Sequence, residues 1–324
     1  MPSRRHILRL AGTAAALPAI TRLAAAQTYP AKPINVIVPF AAGSGTDSVA
    51  RVLAEPLGIA LKQPVTIENK PGANGAIGAG QAARAAPDGY TLFMATNSPL
   101  SAAPTLNKSI AYHPVRDFTP VVRVGSYVFV LAIDARLPIK SIPELVAYAK
   151  ANPGKLSYAS GNTTGIVAGE TLKRAAGIDM LHVPYKSTPP AVSDVLGGRV
   201  SMIISDLTPV LPHVRAGTLR PLAGTRLARS ALIPDVPTLH EEGITNFDLD
   251  SWAGLFVPAK TPVDIPRRLN SELRRIIDSP DTRTRLAGVG FEGFSSTPAE
   301  LSETVAVQLA KWTRMIRDAG IEAE

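Results

Sequence analysis

The sequence predicts an α/β protein built as two lobes, and three observations predict it. Short β-rich runs alternate with helix-length amphipathic segments, the pattern of parallel strands joined by helices. Strand-rich blocks lie on both sides of about residue 130. The last sixty or so residues are mostly helical and hold too little strand for a domain of their own. That tail is expected to pack on the first block, so the chain crosses from one lobe to the other and returns. This places lobe 1 at 27–128 plus 226–324 and lobe 2 at 129–225. Ligands in such proteins lie in the interlobe cleft, beyond the carboxyl ends of the strands.

The elements follow in order. "INVIVPF" (34–40) reads as a strand, Asp47–Leu61 as a helix, "VTIEN" (65–69) as a strand, Gly75–Ala86 as a helix and "TLFMAT" (91–96) as a strand. "YVFVLAI" (127–133) reads as one buried strand. Residues 141–152 read as a helix with Ser141 as N-cap and Glu144 at the capping-box position. "LSYAS", "MLHVPY" and "VSMIIS" are further strands, with helical segments Gly165–Ala176 and Pro190–Leu196 between them. Ile265–Asp278 and Pro298–Asp318 complete the helical tail.

The first 26 residues read as an export signal to be cleaved. "SRRHILR" places two adjacent arginines in a basic start, of twin-arginine type, and an apolar run and "AAA" (24–26) follow. Only 12 uncharged residues separate Arg9 from Arg22, too few for a membrane span of roughly 20. Removing this segment leaves 30 basic against 26 acidic residues, so the net charge drops from +8 to +4. The positive charge is largely an export feature, and no nucleic-acid partner is implied. Cysteine is absent, which excludes disulfides, thiolate metal sites, a cysteine nucleophile and a lipoprotein anchor. The mature chain is expected to be soluble in a Gram-negative periplasm.

After the first strand comes "PFAAGSGTDSVARVLAE" (39–55), where glycines and small hydroxyl residues open a helix. A helix N-terminus has unpaired N–H groups and roughly half a positive charge, and glycines let the backbone approach a ligand. Ala41, Ala42, Gly43, Ser44, Gly45 and Thr46 therefore offer N–H groups and two hydroxyls to an anion. The P-loop lysine is missing, and the third glycine of a dinucleotide fingerprint is Ser48. A carboxylate suits this loop better than a nucleotide. Asp47, set to pair with Arg51 on the helix surface, would repel a highly charged phosphate. Phe40 either walls the ligand or belongs to the core.

"SGNTTG" is a second small-polar loop between strand and helix: Ser160, Gly161, Asn162, Thr163, Thr164 and Gly165. Thr163 sits where a nucleophile elbow has serine, but no acid and histidine complete a catalytic set, so an exported hydrolase is disfavoured. His113, His182, His213 and His240 match no metal motif and read as isolated surface or capping residues; no metal or cofactor is expected. Asp206 ends a strand and so faces the cleft region, where it either meets a ligand's polar end or caps the next helix.

Seven stretches in order carry a family resemblance: "PFAAGSGTDSVAR", "VTIENKPGANGAIGA", "APDGYTL", "LHVPYKSTPPAVSDVLGGRV", "GTLRPLAGT", "VPTLHEEG" and the late "AGI". Across nearly the whole mature chain the sequence resembles the Bug-type periplasmic solute-binding proteins of tripartite tricarboxylate transporters. The resemblance implies a type II periplasmic-binding-protein fold, two α/β lobes with an interlobe cleft that closes on a small carboxylate, and no catalysis. It implies that the loop Phe40–Thr46 and the loop Ser160–Gly165 grip the carboxylate from opposite lobes, with Asn97 and Ser98 of "TNSPLS" and Asp206 at further cleft positions. The implied partners are the membrane subunits of a transporter, with the receptor itself monomeric; a sensor partner of a membrane histidine kinase is the alternative. Two features depart from the family's pattern: the second-lobe loop is commonly longer there, with a histidine before its "L-x-G-E", where this chain reads "GIVAGE" with Val167 in that region, and Ser187 replaces the glycine of "PYKG".

Overall fold

The computed structural model describes residues 29–245 and 247–323; the export segment, 1–26, lies outside the described residues. Strand β1 (Ile34–Val38) is almost continuously apolar, as suits a strand covered on both faces. It pairs in parallel with β2 (Val65–Asn69) and β3 (Thr91–Thr96). Helix α1 (Gly45–Leu61) connects the first two strands. Ser44 caps it by accepting from Asp47 N, and Lys62 ends it in the left-handed region. Its buried stripe, Val49, Leu53, Leu57 and Leu61, repeats at helical spacing and covers the sheet. Helix α2 (Ala76–Ala83) precedes β3, and a π-type turn (Ser98–Ala102) with the short α3 (Ala103–Leu106) follows it.

The run read as one strand at 127–133 is two. β4 (Phe118–Tyr127) belongs to the first sheet and β5 (Phe129–Asp134) to the second, with Val128 alone between them. The apolar run is continuous because both halves are buried, so periodicity gives no sign of the division. The second half contains α4 (Ile142–Ala151), β6 (Ser157–Ser160), α5 (Thr163–Ala176), β7 (Leu181–Pro184), α6 (Thr188–Leu196), β8 (Met202–Asp206), α7 (Leu207–Arg215) and β9 (Leu219–Gly224). Ser141 caps α4 as expected, accepting from Glu144 N. The second sheet runs β7-β6-β8-β5-β9.

The chain then returns to the first sheet as β10 (Ser251–Pro258), which inserts antiparallel between β3 and β4. Helices α8 (Asp264–Ile277) and α9 (Pro280–Gly288), edge strand β11 (Phe291–Gly293) and α10 (Pro298–Asp318) follow. The first sheet therefore runs β11-β4-β10-β3-β1-β2. The tail does not pack on the first lobe alone. Leu301 and Val305 of α10 lie in the core with Trp252 and Phe118 of the first sheet. Trp312 and Ile316, further along the same helix, lie in the core of the second, with Leu131, Tyr158 and Leu172. The architecture is the two-lobed α/β fold with a cleft that the resemblance implies.

Candidate functional site

The carboxyl ends of β1, β3, β6 and β8 converge between the sheets and bring both polar loops together. Ala41 N–H donates to Ser187 Oγ across the cleft at 3.2 Å. Asn97 Nδ2 donates to Thr164 Oγ1 at 2.8 Å, and Ser251 Oγ donates to Asn97 Oδ1. Tyr127 OH, at the crossing strand, donates to Thr46 Oγ1 at 3.1 Å. Asp206, at the end of β8, packs directly against the start of α1: a Cβ at Gly45 would lie 2.1 Å from its Oδ1. Gly161 makes a similar approach, since a Cβ there would lie 2.3 Å from Thr188 N. The two lobes meet in close contact through these residues.

Several groups of the first loop are engaged within the protein. Gly43 N–H donates to Asp47 Oδ2 at 2.9 Å, and Ser44 Oγ is used as the helix cap. Asp47 is not on the helix surface: it is 2% exposed, and it also accepts from Arg51 Nε and Asn69 Nδ2, each at 2.9 Å. Burial alone would raise its pKa, but the hydrogen bonds from Arg51, Gly43 and Asn69 hold the carboxyl below the usual carboxylate range. Phe40 is buried, and its carbonyl accepts from Asn69 Nδ2. Ala42 and Gly43 are exposed. In the second loop Asn162 caps α5 by accepting from Gly165 N–H. Ser98 is buried, its amide on Thr96 Oγ1.

Three buried oxygens at this contact have no hydrogen-bond partner: Thr163 Oγ1, Asp206 Oδ1 and Thr208 Oγ1. Asp206 occupies the N-cap position of α7, but its side chain makes no capping bond. Burial pushes its carboxyl up to about 7, and the Ser205 hydroxyl, 3.5 Å from Oδ2, opposes this only in part. Near neutral pH it is therefore partly protonated and can donate as well as accept.

Two cavities open from the contact, on different sides. One, of about 510 Å³, is reached past Gly43 and lined by Val192, Leu196, Leu211 and Val289 together with the polar Ser48, His213 and Arg215. The other, of about 610 Å³, is reached past Ser160 and presents Asn74, Asn107, Glu170, His182 and Lys186. Of the residues expected to grip a ligand, Ser160 lines this second cavity and Gly43 the first, Ala42 is exposed, and most of the rest are buried.

His182 is neither isolated nor a cap. Its Nε2 lies 2.7 Å from Ser160 Oγ, and its ring stacks on Tyr158 with centroids 4.8 Å apart. Sequence reasoning missed His182 and Tyr127, whose roles depend on pairing distant in sequence, and Asn107, which the fold brings to the second cavity. Ser187 was visible as a departure from the family's pattern; its hydroxyl makes the interlobe bond that glycine would lack. Val167, the other departure, is fully buried in the second lobe's core. Among the described residues no cluster of His, Asp and Glu could hold a metal ion, and no helix is long and apolar enough to cross a membrane.

The family model for the tripartite tricarboxylate transporter family receptor matches residues 49–321. BugT of Bordetella pertussis is 36% identical over 319 residues, 97% of this chain and 98% of BugT. The structure of R. palustris Rpa4515 with adipate superposes with a TM-score of 0.89 at 30% identity, covering 91% of this chain and 100% of that one. MatC from Rhodopseudomonas palustris with bound malate gives 0.83 at 31% identity, covering 89% and 100%. The chain belongs to the tripartite tricarboxylate transporter family receptors of the Bug type, and its role is to bind a solute rather than to transform one.

Proposed function

We propose that this receptor captures a small organic carboxylate between its lobes in the periplasm and hands it, as a monomer, to the membrane subunits of a tripartite tricarboxylate-type transporter. The observation that carries the reading is the cavity of about 610 Å³ beside Ser160. It is bounded by residues of both lobes, its size falls in the range of small-molecule sites, and Ser160, Asn74, Asn107 and Lys186 offer donors to a carboxylate there, beside the acidic Glu170 and Glu322. The first loop lies at the other cavity, past Gly43, where the start of α1 carries partial positive charge. A ligand bridging the lobes stabilises the closed arrangement by its extra contacts there. Two neighbours of like fold were solved with adipate and malate, which supports the carboxylate class.

The test is a thermal-shift screen of residues 27–324 against mono-, di- and tricarboxylates, with adipate and malate included and phosphate and sulfate as controls. A ligand at a hundredfold excess over its dissociation constant stabilises by about 2.7 kcal/mol. A shift confined to carboxylates supports the reading; a shift with phosphate alone overturns it.

A further inference from the structure

Ser160 closes β6, and the neighbouring strand β7 sets His182 against it, Nε2 to Oγ at 2.7 Å. A serine hydroxyl has one proton to give. If Ser160 donates that proton to a bare Nε2, it offers the cleft only lone pairs, which repel a carboxylate. If Nε2 carries hydrogen, Ser160 accepts from the imidazole and its own O–H is free for the cleft. The tautomer of this imidazole therefore decides whether Ser160 can hold an anion.

The surroundings of the ring favour the second arrangement. Tyr158 stacks on its face with 22° between the planes, and Tyr158 OH donates to Glu170 Oε1 at 2.7 Å. The ring is thus held flat against β6 with Nε2 on Ser160. An Nδ1–H tautomer is ordinarily fixed by an acceptor at Nδ1. Among the described residues Nδ1 has no such partner, and Nε2 is the nitrogen engaged. We infer that His182 is a positioning residue of this receptor: its Nε2–H donates to Ser160 Oγ and turns the Ser160 O–H toward a ligand carboxylate in the adjoining cavity. The inference rests on reading that cavity as the ligand site.

The relay has an electrostatic consequence. The charged and titratable groups around the ring are Glu170 and Lys173 from α5, Tyr158 from β6, Tyr185 and Lys186 beyond β7, and Glu322 from the C-terminal segment lining the same cavity. Burial pushes the imidazole below its ordinary value, with Glu170 opposing and Lys173 assisting. His182 is therefore neutral at pH 7. A carboxylate on Ser160 brings negative charge next to it and makes the ring more basic. Binding then takes up part of a proton, and affinity rises as pH falls toward the value at which the free receptor's His182 titrates.

Two measurements test this. Long-range proton–nitrogen NMR on unliganded residues 27–324, with the ring assigned by loss of its signal in His182→Gln, reports the tautomer directly. Hydrogen on Nε2 at neutral pH is expected; hydrogen on Nδ1 with a bare Nε2 overturns the relay. Calorimetric titration with adipate between about pH 5.5 and 7.5 then compares wild type, His182→Ala, His182→Gln and Ser160→Ala. His182→Ala is expected to weaken binding about tenfold, the size of one hydrogen bond to a charged group. Gln, whose amide can donate but does not titrate, restores most of that loss and removes the His182 share of the pH dependence. Adding Ser160→Ala to His182→Ala costs little more. Fully additive losses overturn the relay. Wild type that binds no adipate counts against the carboxylate reading of the cavity, and the tautomer still decides the relay.

Discussion

Gly45 stands where the lobes leave no room for a side chain. A Cβ there would collide with Asp206 Oδ1 and come within 3.2 Å of Tyr127 Cε1. Its absence lets a carboxyl from the second lobe rest on the first turn of α1, where the unpaired amides lie. Gly45→Val forces Asp206 away and keeps the lobes from meeting in this arrangement. Carboxylate affinity is expected to fall at least about tenfold, the loss of one charged hydrogen bond or more, while the unliganded chain stays folded. A thermal-shift titration of the variant checks this; unchanged affinity would show that the close approach is dispensable. Asp47 is the complementary case, a residue that serves the loop rather than a ligand. It takes three donors, Gly43 N–H, Asn69 and Arg51, into one nearly buried carboxylate. Removing it takes the partner from the Gly43 amide and from one of the two Asn69 N–H groups, the other being held by the Phe40 carbonyl. Asp47→Ala should lower stability by about 2–3 kcal/mol in urea unfolding at neutral pH.

At the scale of elements, α10 ties the two halves together. Its first turns cover the first sheet, and Trp312, 1% exposed, fills the core of the second. Trp312→Ala should therefore destabilise by about 3–5 kcal/mol although the helix begins on the other lobe. In denaturant unfolding the second lobe is expected to melt first in this variant; a single unshifted transition would refute the bridging role. This helix also marks the limit of what the sequence reveals. Elements with local signals were legible: α1 from its stripe and small-residue start, α4 from Ser141 and Glu144. β10 was not, because its identity depends on pairing with β3 and β4, far away in the chain. The candidate site divides in the same way. Polar loops at the ends of β1 and β6 were visible as strand–glycine–helix junctions. Their partners were not: Thr46 meets Tyr127 across 81 positions, Ala41 meets Ser187 across 146, and Ser160 meets His182 across 22. No periodicity encodes such distances, so side chains that finish a site escape a reading based on local pattern.

For the whole molecule the contact of Asp206 with α1 matters because its carboxyl is buried where the lobes meet. In the closed arrangement the carboxyl is 6% exposed, with one oxygen unpartnered, and burial holds its pKa near 7. In an opened cleft it regains water and returns toward the ordinary carboxylate value of about 3.9. The closed state thus holds its proton to higher pH than the open one. Protonation favours closure fully below the ordinary value, and the advantage is lost as pH rises through about 7. Above that both states are ionised, and the cost of burying the charge stays constant, on the order of 4 kcal/mol for a shift of this size. A ligand must offset this cost with its own contacts in the cleft, which sets how strongly binding and closure are coupled. The unliganded receptor is therefore expected to be more compact near pH 5.5 than near pH 8 by small-angle scattering. Asp206→Asn, which keeps the shape and removes the charge, should be equally compact at both. A radius of gyration that does not change with pH in wild type, or that changes as much in Asp206→Asn, would assign closure to other groups.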